Sequence, residues 1–97
     1  MENSNKKKSS ILKPVTMGAA LERIHKCQIS IADCPNIYMD VSTRIGEEIT
    51  VGLWFQTGDE VCPIDSIVIC SGDSMLLRSI KVHRVEASVA MLKNLLQ

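Results

Sequence analysis

The sequence predicts an α+β domain made of an N-terminal helix, a five-stranded antiparallel meander sheet or small open barrel, and a C-terminal helix. Three observations predict it. Apolar and polar residues alternate over most of Cys27 to Val85, turn-forming clusters interrupt the alternation at regular intervals, and the period becomes helical on either side of it.

The first helix is set by its start signal and its periodicity. Pro14 ends any structure begun at Ile11 and Leu12, and Thr16 is placed to act as the N-cap. Met17, Ala20, Leu21 and Ile24 then fall on one helical face, with Glu22 and Lys26 as a favourable i,i+4 pair. The helix is expected from Met17 to about Lys26, weakened by Gly18.

Strands follow. Cys27, Ile29 and Ile31 alternate with Gln28, Ser30 and Ala32 up to a turn at Asp33-Cys34-Pro35-Asn36. Ile37, Met39, Val41 and Thr43 form the next apolar row, and Ile49, Val51, Leu53 and Phe55 the one after it. Thr57-Gly58-Asp59-Glu60 is a turn. Ile67-Val68-Ile69-Cys70 is apolar without a break, which suits a strand buried on both faces, and Pro63 belongs at its start or on an edge. After Ser71-Gly72-Asp73, a last strand is expected over Leu76 to Val85, with Ile80 and Val82 alternating with Lys81 and His83. Val89, Met91, Leu92, Leu95 and Leu96 then share one helical arc, giving a helix from about Ala87 to Leu96 that must dock to be stable.

Hairpin registers follow from these turns. A three-residue loop at Ile45-Gly46-Glu47, with Gly46 in the left-handed conformation, sets Arg44 against Glu48, Val41 against Val51, Met39 against Leu53 and Tyr38 against Trp54. Continued through the next two hairpins without interruption, the same alternation sets Leu53 against Ile64, Ile49 against Val68 and Ile67 against Leu77. The reverse face of the sheet then gathers Tyr38, Trp54, Ile67, Ile69, Met75 and Leu77, so the sheet is apolar on both sides. One helix per face would cover it, and so would a partner or a second copy.

Composition bounds the rest. The chain has 97 residues, enough for one domain with a modest core, a size at which self-association is a common supplement. Residues 1–13 read as a flexible basic arm and 14–97 as the domain. Hydrophobic residues are 45% of the chain and aromatic ones 3%, so the core must be aliphatic. No segment approaches the roughly 20 apolar residues of a membrane helix, and the basic N-terminus is followed by no apolar signal region. No membrane insertion is expected, and the expected location is cytoplasmic. There Cys27, Cys34, Cys62 and Cys70 remain reduced, with Cys27, Cys62 and Cys70 at apolar strand positions. Formal net charge is zero, yet the middle of the chain is acidic and its ends are basic.

Chemistry-bearing patterns are few. The spacings of His25, Cys27, Cys34, Cys62, Cys70 and His83 match no standard zinc pattern, so no metal is expected. No nucleophile motif or glycine-rich phosphate loop occurs, so neither an enzyme nor a cofactor is expected. A nucleic-acid-binding alternative rests on the Lys6, Lys7 and Lys8 arm together with a basic strand end at Arg78, Lys81 and Arg84. The helix followed by a five-strand meander resembles a small SH3-like or Sm-like barrel. Ile69-Cys70-Ser71-Gly72-Asp73 resembles the second Sm motif, with Ser71 where that motif has arginine, and no RNA-binding role is carried over from it. The reading reached is a non-catalytic protein–protein interaction domain, a homodimeric regulator, adaptor or inhibitor with itself as the first expected partner. Its interface is expected at Tyr38, Trp54, Ile67, Ile69, Met75 and Leu77, or on the C-terminal helix at Val89, Leu92 and Leu96.

Overall fold

The computed structural model describes residues 14–44 and 47–96. The elements run α1 (Met17–Ser30), β1 (Ile37–Arg44), β2 (Glu48–Thr57), β3 (Glu60–Cys70) and α2 (Met75–Leu95), and the three strands form one antiparallel sheet in the order β1-β2-β3. The α+β class, the antiparallel sheet and a helix at each end are as expected. Among the described residues five strands and a barrel are not found, because both outer segments read as strands are helical.

The reason is the same at both ends. Buried positions continue the helical period where a local two-residue alternation had suggested strand. In α1 the buried side is Ala20, Ile24 and Cys27, followed by the C-cap Ile31, so the helix runs through the segment expected as the first strand. Thr16 caps it as expected, its hydroxyl accepting from the Ala19 N–H at 3.1 Å. In α2 the buried residues Ser79, Val82, Val85, Val89 and Leu92 recur every three or four positions. Ser74 caps its start by accepting from the Leu77 N–H at 3.1 Å, and no glycine or proline interrupts the sequence from there to Leu95. The expected C-terminal helix is thus the second half of a 21-residue one. Ser71, Gly72 and Asp73, read as a hairpin and likened to an Sm motif, form the turn from β3 into α2.

The β1–β2 register is the expected one throughout, from Ile37 against Phe55 to Arg44 against Glu48. Gly46 lies outside the described residues. Glycine also serves the β2–β3 turn, where Gly58 takes φ 61° in the two-residue loop between Thr57 and Glu60.

The β2–β3 register departs from expectation at one residue. Phe55 faces Cys62 and Trp54 faces Pro63, the register in which Leu53 is expected to meet Ile64, but a β-bulge between Leu53 and Trp54 sets Leu53 against Asp65 instead, skipping Ile64. One extra residue moves every later side chain to the other face. Ile67 and Ile69 therefore oppose Val51 and Ile49 in the core, and Val68 is the residue on the Tyr38/Trp54 side. Ile67 is 6% exposed, Ile69 is fully buried and Val68 is 41% exposed. The sheet is consequently apolar mainly on one face, and among the described residues one helix per face is not found.

Both helices lie on that apolar face. Ile24 and Cys27 of α1, Ile49, Val51 and Leu53 of β2, Ile67 and Ile69 of β3, and Val82, Val85 and Val89 of α2 make one aliphatic cluster. A bidentate ion pair locks the two helices together, with Arg23 Nε donating to Glu86 Oε2 at 2.9 Å and Arg23 Nη2 to Oε1 at 2.5 Å. Donation to the Glu86 carboxylate holds the Arg23 pKa above its ordinary value.

Candidate protein-interaction surfaces

The outer side of α2 is the most apolar exposed surface. A helix packed on one face presents the opposite residues to solvent, and here these are Leu76, Leu77 and Ile80 near the start and Met91 and Leu95 near the end. Each is at least 41% exposed. Leu77 and Ile80 form one wall of a groove of about 390 Å³ whose other wall is Val68 of β3, with Lys81 and Arg84 at its rim. Neither Leu76, Ile80 nor Val68 was among the expected contact residues. The signal that would have found them is the α2 core stripe, which fixes the opposite side of that helix.

The back of the sheet is the second open surface. Tyr38 and Trp54 stack with ring centroids 5.8 Å apart and planes inclined by 19°. Tyr38 is 47% exposed and Trp54 half-buried, and around them stand the polar Asp40, Ser42, Thr50, Gln56 and Ser66 together with the exposed Val61, Pro63 and Val68. This face is mixed, without the continuous apolar cover that the expected register gave it.

The structure therefore divides the expected interface residues. Tyr38 and Trp54 share the open back face. Met75, Leu77 and Leu96 are exposed on or just beyond α2, on a helix and not across a sheet from Ile67 and Ile69. Ile67, Ile69, Val89 and Leu92 are core residues of this chain.

The cationic residues are largely committed to partners within the fold. Arg78 is 6% exposed, and its guanidinium donates to the carbonyls of Val15 (2.8 Å), Ser71 (3.0 Å) and Asp73 (3.1 Å), with Nε unpartnered. It pins the lead-in to α1 against the turn before α2. Lys81 Nζ donates to Asp73 Oδ2 and to the Val68 carbonyl, both at 2.7 Å. That hydrogen bond, with one from the Cys70 N–H, holds the Asp73 carboxyl below the usual carboxylate value. Arg84 forms a bidentate pair with Asp65, at 2.9 and 3.1 Å, and Ser88 Oγ donates to the same carboxylate at 3.2 Å. Arg78, Lys81 and Arg84 thus lie on a helix and not along a strand end. Lys6, Lys7 and Lys8 lie outside the described residues.

The remaining chemistry is sparse. Among the described residues no group of three or more His, Cys, Asp or Glu is placed to hold a metal ion. All four cysteines are free, with Cys27 buried on α1 and Cys62 exposed on β3, so neither packs inward from a strand as expected. Burial, with Glu86 nearby, pushes the Cys27 thiol pKa up. No helix among the described residues is long and apolar enough to cross a membrane. Comparison with family models, with curated proteins and with solved structures finds no match to this chain.

Proposed function

We propose that this chain is a non-catalytic protein–protein interaction domain that acts as a homodimer, an adaptor or inhibitor whose partner-facing surface is the outer side of α2. The observation that carries this reading is the cluster of Leu77, Ile80 and Val68, all between 41% and 48% exposed and lining one groove, with exposed Leu76 on the same helix. Contiguous apolar surface of this kind is unusual on a free monomer and marks contact sites. The salt-bridged rim at Lys81 and Arg84 around an apolar floor matches the polar surround of protein interfaces. A photo-crosslinking residue placed at Ile80 tests the reading, with Thr57 at the tip of the β2–β3 hairpin as the control position. A discrete protein adduct from position 80 that Leu77→Glu abolishes is expected. The absence of any adduct from position 80 in the host cell contradicts it.

A further inference from the structure

The two outer strands of the sheet end very differently, and the difference points to where two copies meet. Antiparallel pairing turns alternate residues of an edge strand outward. The Gln56 N–H donates to the Asn36 carbonyl, and the Ser71 N–H to that of Glu47, so even-numbered residues of β1 and, from Asp65 onward past the bulge, odd-numbered residues of β3 face β2. The outward groups belong to Ile37, Met39, Val41 and Thr43 on β1 and to Ser66, Val68 and Cys70 on β3.

The outer edge of β3 is largely covered from Ser66 to Cys70, with the Ser66 carbonyl and the Val68 N–H left without a partner among the described residues. Asp65 Oδ1 accepts from the Ser66 N–H, Lys81 donates to the Val68 carbonyl, and Asp73 takes both the Cys70 N–H and the Cys70 carbonyl. The bulge and Pro63 further spoil this strand as a template for pairing. On β1, among the described residues, the single cover is Gln28 Nε2 donating to the Met39 carbonyl at 3.1 Å. The segment from Val41 to Thr43 is regular, unbulged and free of lysine and proline, and the outward N–H and C=O groups of both residues are without a partner among the described residues.

We propose that a second copy of this chain pairs with β1 in antiparallel orientation, with Ser42 on the two-fold axis, joining two three-stranded sheets into one of six strands. This rests on the homodimeric reading above, but places the contact between the two copies on β1 and leaves the outer side of α2 to a different protein partner. Charge complementarity and the Gln28 cover select the register. With Ser42 opposite Ser42 of the other copy, Val41 exchanges both of its backbone hydrogen bonds with Thr43 of that copy, and Thr43 with Val41, so that only unpartnered groups are used. Asp40 then lies opposite Arg44 of the other copy on the sheet's back face, twice by symmetry. Within its own sheet Asp40 faces Gly52, which offers no side chain, while Arg44 is exposed opposite Glu48 and makes a 3.6 Å ion pair with Glu47, a contact it would share with Asp40 of the other copy. Shifting the two-fold axis to Val41 would need the Met39 carbonyl that Gln28 occupies, and it would set Asp40 against Ser42. Shifting it to Asp40 would oppose like charges. In the chosen register β1 lies at the centre of the dimer and β3 at its two ends, so the α2 grooves beside β3 stay uncovered.

Sedimentation of the full chain over a concentration series, with charge-swap variants, tests this. The wild type should dimerise, Asp40→Arg and Arg44→Asp should each weaken association at least about tenfold, and the double exchange Asp40→Arg/Arg44→Asp should restore it. Ser42→Cys in a Cys34→Ser/Cys62→Ser background should form an intermolecular disulfide under mild oxidation, since non-hydrogen-bonded antiparallel pairs bring Cα atoms to about 4.5 Å. A dimer unaffected by both single charge variants, and yielding no Ser42→Cys cross-link, overturns the β1 assignment while leaving self-association standing. If that dimer is instead dissociated by Leu77→Glu/Ile80→Glu, the copies meet through α2. A wild-type monomer at all concentrations overturns both the assignment and the homodimeric reading. It also overturns the assignment if the Val41 and Thr43 amides are protected in a monomer, because the chain's own N-terminal segment would then occupy the edge.

Discussion

Lys81 of α2 donates to the backbone carbonyl of Val68 at 2.7 Å and so covers that part of the outer edge of β3 with a charged side chain from the next element. The same ammonium is held by Asp73, whose carboxylate also accepts the Cys70 N–H at 2.9 Å. One lysine and one aspartate thereby engage three exposed polar groups of an edge strand and orient α2 along it. Edge strands left open invite pairing with other chains, and lysine is a common guard against it.

Removing the ammonium while keeping its stem should therefore reopen that edge. Lys81→Met is expected to leave the far-ultraviolet spectrum unchanged and to shorten the lag of aggregation in light scattering. An unchanged lag would show that α2 covers the edge without the lysine.

The Asp73 carboxyl also links stability to pH. Its pKa is held below the ordinary 3.8, first by the Lys81 hydrogen bond and next by that of the Cys70 N–H. The unfolded chain thus binds this proton more readily than the folded one. The stabilisation is complete above the ordinary value and is lost as pH falls through it toward the lowered folded value. Denaturant midpoints for wild type and Asp73→Asn should differ most near neutrality and converge as pH falls to about 2. A gap that stays constant with pH would remove Asp73 from the acid response.

The bulge at Ile64 makes a prediction that distinguishes two registers. Ile69→Ala should cost about 2–4 kcal/mol in urea denaturation, and Val68→Ala less than about 1 kcal/mol, because only the first empties a core position. Without the bulge the two costs would be reversed.

Arg78 is a buried cation serving three carbonyls on two separate segments. Arg78→Ala should cost about 2–4 kcal/mol, since those acceptors lose their donors and a void opens. Loss of less than about 0.5 kcal/mol would mean that Val15 and the turn hold their places unaided.

Much of the architecture was legible in the sequence because local and tertiary preferences agree there. Thr16 and the Met17 to Ile24 face gave the start of α1, and the β1–β2 hairpin followed from its alternation and its loop length. The segments 27–31 and 76–85 misled because isoleucine and valine favour strands and happen to alternate over a few residues. The longer stripe from Val82 through Val85, Val89 and Leu92 outweighs that alternation once α2 can pack on β3 and α1. The bulge at Ile64 has no local signature strong enough to read, and it alone decides whether Ile67 and Ile69 face inward. The Tyr38–Trp54 stack was legible because it lies before the bulge, whereas the groove of Val68, Leu77 and Ile80 was hidden by it.

Amide hydrogen exchange at Val41 and Thr43 tests the central claim most directly, because these N–H groups play no part in the chain's own ladder. Both amides should be slow to exchange at concentrations where the dimer is populated and should become fast on dilution to monomer, with the core amides of β2 unchanged. Rapid exchange of Val41 and Thr43 in a sample shown to be dimeric would contradict the pairing of β1 with a second copy.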